Sequence, residues 1–331
     1  MKKVAWTVAV ALILVVSGLS AYYYAAPRTQ SVRLGYLLGD LHQLAVFVAL
    51  ENGYFEHEGV TVSLVGPFTA GPALMKAFAA DELDVGYVGT APALTHAAKG
   101  VDIQILASVN NEGSALIVRR DITKIEDLRG KTVAIPMVGS IQDILLRMAL
   151  LRHGLTYKDL NVIEVRCPDM PAQLEVGRLD GFIAWEPYCA QAIVTGAGKM
   201  LASSRDILPG HPCCVLVASR SFITKQPSVM EKIVRVHVKA TRFIQERPRE
   251  AMEIAAKFTK LDLVVIEDAW RRILFDYKTK VEETKLFVEK LIELDIIKKS
   301  DISDVDAFID DLFNLGFLDK IIGPSAYGRE G

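Results

Sequence analysis

The chain has 331 residues, 51% of them hydrophobic and 24% charged, which is enough apolar material for a large buried core and excludes disordered and collagen-like classes. Lysine and arginine total 38 against 40 acidic residues, so there is no basic excess to hold a phosphate backbone, and nucleic acid is not an expected partner. The four cysteines, Cys167, Cys189, Cys213 and Cys214, are too few for a disulfide framework and lack the C-x-x-C spacing of a structural zinc site.

The first thirty residues read as a leader rather than as fold. After Lys2 and Lys3 the chain runs from Val4 to Ala26 without a charge. At roughly 1.5 Å per helical residue that stretch reaches about 35 Å, enough to cross a hydrocarbon layer. The two lysines predict a cytoplasmic N-terminus, and Tyr22, Tyr23 and Tyr24 sit where an aromatic belt meets the outer interface. Ser20-Ala21 or Ala25-Ala26 would serve a signal peptidase, but the tyrosines between them fit an uncleaved anchor better. No cysteine lies near the leader's end for lipid modification. The body is therefore expected outside the cytoplasm, anchored at the outer face of the membrane or secreted.

From Ser31 short β-rich runs alternate with amphipathic ones, the pattern of an α/β fold. The run predicts a strand at Val32 to Leu37, a helix from about Asp40 to Glu58 weakened at Gly53, and a strand at Val60 to Val65. A helix from Gly71 to Asp81, a strand from Asp84 to Val88 and a helix from Pro92 to Lys99 follow. Strands are expected at Ile103 to Val109, Ala115 to Arg119, Thr132 to Pro136, Val162 to Val165, Phe182 to Trp185 and Val215 to Ala218. Helices at Ser140 to His153 and Pro171 to Arg178 separate them. Beyond Ala218 the pattern is helical: Pro227 to Gln245, Pro248 to Phe258, Val264 to Tyr277, Val281 to Leu294 and Asp304 to Leu315.

One segment echoes another. Leu83-Asp84-Val85-Gly86-Tyr87-Val88-Gly89-Thr90-Ala91-Pro92 aligns, with one gap, to Leu179-Asp180-Gly181-Phe182-Ile183-Ala184-Trp185-Glu186-Pro187. Each has a Leu-Asp turn, a strand opened by Gly-aromatic, and a proline suited to the first turn of a new helix. Two similar lobes are implied. Each delivers small or polar groups to a strand's C-terminal end and a helix N-terminus, where open α/β sheets bind ligands.

With these residues in view, the sequence resembles the substrate-binding proteins of ABC importers in the nitrate/sulfonate/taurine (bicarbonate) group. The resemblance rests on Asn52-Gly53-Tyr54-Phe55 with Glu58-Gly59-Val60, on Leu83-Asp84-Val85-Gly86 through Ala91-Pro92, on Asp127-Leu128-Arg129-Gly130-Lys131-Thr132-Val133-Ala134, and on Trp185-Glu186-Pro187-Tyr188. It implies the two-lobed type II periplasmic-binding-protein fold with a helical C-terminal region. By the same resemblance lobe I comprises 31–119 plus 215–331 and lobe II comprises 120–214, with hinge crossings near Arg119-Arg120 and Cys213-Val215. A monomer that serves an ABC importer permease is implied as well.

The candidate ligand-binding residues follow the strand ends. In lobe I they are Leu38 to His42 after the first strand, Gly89, Thr90 and Ala91 after the third, and Asn110 after the fourth. Thr90 leads, because its hydroxyl and the neighbouring amides can face an anion together. In lobe II, Gly139, Ser140 and Ile141 open a helix, and Ser140 with Asp143 has capping-box spacing; the resemblance places Ser140 against a ligand's anionic group. Trp185 offers an apolar wall, and Glu186 either receives an ammonium or hydroxyl group or braces the hinge. His42 and His211 are further candidates. A thiol-metal reading of Cys213-Cys214 needs a third ligand, so buried free thiols are expected, with no metal and no cofactor.

No catalytic residue is expected. G-x-S-x-G, H-E-x-x-H and C-x-x-C motifs are missing from the sequence, Ile125 stands where a phosphate loop before Gly130-Lys131-Thr132 needs glycine, and Leu201 stands where Gly196-x-Gly198 needs a third. The reading is a binding protein for a small anion or zwitterion. Alternatives are a pyrimidine- or menaquinone-pathway enzyme of the same fold, or a membrane-tethered ligand sensor.

Overall fold

The computed structural model describes residues 31–323; the expected leader or anchor, 1–30, lies outside them. No described helix is long and apolar enough to cross a membrane. Two sheets organise the chain. The first contains β1 (Val32–Leu37), β2 (Val62–Phe68), β3 (Val85–Gly89), β4 (Ile103–Glu112), β10 (Pro212–Ser219) and β11 (Ile273–Phe275), in the order β11-β4-β10-β3-β1-β2. The second contains β5 (Ser114–Val118), β6 (Thr132–Ile135), β7 (Asn161–Glu164), β8 (Gly181–Trp185) and β9 (Lys199–Ser203), in the order β7-β6-β8-β5-β9.

Both sheets follow one plan. In the first, β1 runs parallel to β2 and β3, while β10 runs antiparallel to β3. In the second, β6 runs parallel to β7 and β8, while β5 runs antiparallel to β8. The central strands β3 and β8 are wholly buried, as helices on both faces require. The outer strand β2 is largely exposed and carries Pro67, which lacks the N–H an interior strand needs.

The internal echo is physical. Leu83 and Leu179 are fully buried anchors at the starts of β3 and β8. The Asp84 carboxylate accepts from the Arg33 backbone N–H at 2.8 Å, and that of Asp180 accepts from the Thr132 N–H at 2.8 Å. Each aspartate also donates its own N–H to the same residue's carbonyl at 2.9 Å. The Leu-Asp pair thus pins the start of a central strand to its parallel neighbour, once in each lobe.

The sheets exchange the chain earlier than expected. The chain leaves the first sheet at Glu112 and enters the second at Ser114, ahead of the boundary placed at Arg119-Arg120. It returns at Pro212, one residue before the crossing expected at Cys213-Val215. The reason is backbone geometry: Glu112 has φ +62° and Gly113 φ +93°, so the β-run from Ile103 to Val118 is broken there. A β-carbon on Gly113 would lie 2.3 Å from His42 Nε2, so only glycine fits at this crossing.

Other differences have similar causes. The expected helix from Asp40 to Glu58 divides into a short 3-10 turn, Leu41–Gln43, and helices Leu44–Glu51 and Tyr54–His57, broken at Gly53 with φ +63°. The expected helix to Tyr277 stops at Trp270, because Ile273–Phe275 pairs with the edge of β4 instead. Strand β9 and helices Tyr188–Val194 and Arg220–Lys225 carry too little periodicity to be read from sequence.

Candidate functional site

The C-terminal ends of β1 and β3, with the start of antiparallel β10, form one rim: Cys214 lies opposite Gly89 in the ladder. The ends of β6 and β8 form the facing rim. Leu37, Asp40, His42, Gly89, Cys213 and Cys214 line the cleft from the first sheet's side, and Ser140, Ile141, Gln142 and Trp185 line it from the second. The rims touch: a β-carbon on Gly89 would sit 3.0 Å from Ile141 Cγ1. The space left is about 10 Å³, room for one water-sized body.

Of the expected residues, the cleft wall unites His42, Gly89, Ser140, Ile141 and Trp185. Leu38, Thr90, Ala91, Asn110, Gly139, Glu186 and His211 are not among the residues that line it. Thr90 is fully buried and opens the helix Thr90–Ala98, and its Oγ1 has no hydrogen-bond partner among the described residues. Ala91 is buried in the core behind it. Asn110 turns its side-chain N–H to the Glu112 carbonyl at 3.0 Å. Gly139 donates to Asp143 at 2.8 Å, and the Leu38 carbonyl accepts from the Tyr188 hydroxyl at 3.5 Å.

Ser140 caps the helix Ile141–Arg152, its Oγ accepting from the Asp143 N–H at 3.2 Å. That leaves its O–H free to donate. Trp185 is almost fully buried, and its Nε1–H has no acceptor among the described residues. Buried donors without partners carry a desolvation cost, which an acceptor entering the cleft would remove.

Glu186 is not free to receive a ligand's ammonium. One carboxylate oxygen pairs with Arg272, which also pairs with Asp268, and the other accepts from the Ala190 N–H at 2.9 Å. Burial raises its pKa while the guanidinium opposes that rise. Arg272 belongs to the first sheet's side, just before β11, so the pair ties the two lobes together. The Leu41 N–H donates to the Glu186 carbonyl at 3.0 Å across the same junction. His211 sits behind the wall: its Nδ1 donates to the Leu208 carbonyl at 3.0 Å, with Glu112 at 3.5 Å, and its side chain also reaches the Cys213 thiol.

Sequence reasoning included Asp40 in the candidate stretch Leu38 to His42 without giving it a role, and expected Cys213 and Cys214 as buried free thiols. The structure puts all three on the cleft wall with His42. His42 Nε2–H donates to the Gly113 carbonyl at 2.8 Å, and Nδ1 faces Asp40 Oδ1 at 3.3 Å and Cys213 Sγ at 3.5 Å. Burial pushes Asp40 up to about 6. His42, against the burial that would lower it, is raised to about 10 by Asp40 and the Cys213 thiol. Cys213 is held low by the Cys214 thiol that donates to it at 3.9 Å and by His42, and Cys214 is pushed up correspondingly. Adjacency of two cysteines was the one sequence signal for this cluster; its histidine lies 171 positions away.

Known proteins fit this picture. The taurine-binding periplasmic protein of Escherichia coli K12 is 27% identical over 227 residues, covering 67% of this chain and 69% of its own. The alkanesulfonate-binding protein SsuA of Xanthomonas axonopodis pv. citri, solved bound to MOPS, superposes with TM-score 0.74 at 18% identity, covering 88% of this chain and 100% of that one. The periplasmic nitrate-binding protein NrtA of Synechocystis PCC 6803 superposes with TM-score 0.76 at 16% identity, covering 89% of each chain. The fold is therefore the two-lobed periplasmic-binding-protein type that the sequence implies. The sequence profile of the NMT1-like family matches residues 25–259, well over half of the chain, and this protein belongs to that family.

Proposed function

We propose that this protein is the extracytoplasmic solute-binding component of an ABC importer, taking a small oxyanion of the sulfonate, taurine or nitrate class between its lobes and delivering it to a permease. The observation that carries the reading is the Trp185 Nε1–H, buried at the cleft wall without an acceptor. Ser140 supports it, with a free O–H at the N-terminus of a twelve-residue helix. Thr90 adds a second orphaned buried group, its hydroxyl, next to Gly89. The relatives' names point to the same ligand class.

The cleft is too small for such a solute as it stands, so the rims part and close by hinge motion. The two positive-φ residues Glu112 and Gly113, together with the return at Pro212, are the hinge crossings. Lobe I then comprises residues 31–112 plus 212–331, and lobe II residues 114–211. No bond chemistry on the solute is called for, and the protein works as a monomer held at or released from the outer membrane face by its leader.

The test is a thermal-shift and calorimetric screen of taurine, alkanesulfonates, nitrate and bicarbonate against the purified chain. A ligand at 100 times its Kd stabilises the folded state by about 2.7 kcal/mol. Saturable 1:1 binding that Trp185→Phe weakens about tenfold is the expected result, matching one lost hydrogen bond. Absence of saturable binding by any of these anions would overturn the reading.

A further inference from the structure

We propose that the cleft is also a metal site, in which His42 Nδ1, Cys213 Sγ and Cys214 Sγ hold one thiophilic cation of the zinc(II) kind with its fourth position open to the cleft. The three ligand atoms form a triangle with edges of 3.5 Å (Nδ1 to Cys213), 3.8 Å (Nδ1 to Cys214) and 3.9 Å (sulfur to sulfur). Zinc bonds of about 2.3 Å to sulfur and about 2.0 Å to nitrogen, at tetrahedral angles, place two sulfurs about 3.8 Å apart and sulfur and nitrogen about 3.5 Å apart. The triangle is thus one face of a zinc tetrahedron. All three residues are buried, and all line the cleft.

Two features of the backbone make this face. Neighbouring residues on a regular strand point to opposite sides of the sheet. Here Pro212 pairs with Asn111 and Cys214 with Asn110, leaving Cys213 as the extra residue of a bulge, and the bulge turns both thiols toward the same histidine. His42 is oriented from behind: its Nε2–H donates to the Gly113 carbonyl at 2.8 Å, so Nδ1 is the nitrogen presented to the sulfurs. A carbonyl or carboxylate on the far ring nitrogen is the usual support of a metal-bound imidazole. Two thiolates and one imidazole select soft or borderline cations over magnesium or calcium. Three protein ligands leave the fourth place to an oxygen donor, which Asp40 or an entering oxyanion supplies; only that last option rests on the solute reading above.

The experiment titrates the full chain, reduced and metal-stripped, with zinc against a chromogenic chelator and with cobalt(II) followed spectroscopically. One equivalent of zinc, and a thiolate-to-cobalt charge-transfer band with intense visible bands of tetrahedral cobalt, are expected. Cys213→Ser and Cys214→Ser, checked for folding by circular dichroism, should each weaken zinc binding about 100-fold or more, while Cys167→Ser, altering a buried cysteine outside the cluster, leaves it unchanged. No stoichiometric zinc binding, octahedral cobalt spectra without the charge-transfer band, or a Cys213–Cys214 disulfide in the protein as isolated would each overturn the proposal. Anion binding measured on the metal-stripped chain keeps the two readings apart, because it tests the solute site with the metal site empty.

Discussion

The segments around β3 and β8 start from the same device and end in opposite chemistry. Both begin with a buried leucine and an aspartate that clamps the neighbouring strand at 2.8 Å. At its end β3 delivers Gly89 and the orphaned Thr90 hydroxyl, small groups that leave room. β8 delivers Trp185 and then Glu186, a large ring and a carboxylate locked to Arg272 on the other lobe. Between the two ends the aromatic position differs as well. Tyr87 donates its hydroxyl to His237 Nδ1 at 3.1 Å, whereas the matching residue in lobe II, Phe182, has no hydroxyl. A repeated unit therefore fixes where the rims are, and the residues that break the repeat decide what each rim does.

The largest effect expected is at the lobe junction. Arg272→Ala leaves the buried Glu186 carboxylate without its cation and should destabilise the protein by about 3–5 kcal/mol in urea unfolding. Thr90→Val, at the corresponding end of β3, removes a hydroxyl that bonds to nothing among the described residues and should shift stability by less than about 1 kcal/mol while weakening anion binding. Equal losses at the two positions would erase the distinction between a structural and a ligand-facing rim.

Next comes acid sensitivity confined to lobe I. His237 is buried neutral, its Nε2–H donating to the Ser108 carbonyl at 2.7 Å, and burial lowers its pKa to about 4. An unfolded histidine takes up its proton near pH 6.5, as the handicap of burial is absent. Protons therefore favour the unfolded state between these values: stability is fully present above pH 6.5 and falls by about 3 kcal/mol as pH drops through 4. Denaturant melts across this window should show that slope in the parent and a flatter one in His237→Gln.

The two clamps themselves are expected to be close in strength. Asp84→Ala and Asp180→Ala each strip a backbone N–H of its carboxylate acceptor and should cost about 1–3 kcal/mol in thermal or urea unfolding. Asp84 should be the more costly, since it also receives the Arg33 guanidinium at 2.7 Å, while the Arg119 partner of Asp180 lies farther off at 3.1 Å. The reverse order would show that the exposed guanidinium of Arg33 adds nothing. Smallest is Tyr87→Phe, which makes β3 resemble β8 and leaves the His237 nitrogen unpaired, for a loss of about 1 kcal/mol.

Much of the architecture was legible because it is local. β1 was readable to the residue, and Gly71–Ala79, Ile141–Arg152 and Pro227–Glu246 lie close to their expected bounds, since apolar period and caps reside in contiguous sequence. Ser140 was readable as a cap and Trp185 as a strand end for the same reason. The break around Gly113 was legible between the strands expected at Ile103 to Val109 and Ala115 to Arg119, but the change of sheet was not, because it is set by which distant strands each half pairs with. β11 escaped because its only reason to be a strand is the open edge of β4, more than 150 positions earlier in the chain.

What the sequence determined by itself was the α/β alternation, the two echoed strand starts and the membership of a two-lobed binding-protein fold, all of which depend on periodicity and short motifs. Tertiary structure alone decided that Glu186 pairs with Arg272, that His211 lies between Glu112 and Cys213, and that His42 meets both adjacent thiols. Those outcomes depend on Arg272, Glu112 and a bulge in β10, partners brought in by folding from distant parts of the chain. A side chain's chemistry is set by what reaches it in space, and distance along the chain carries no record of that.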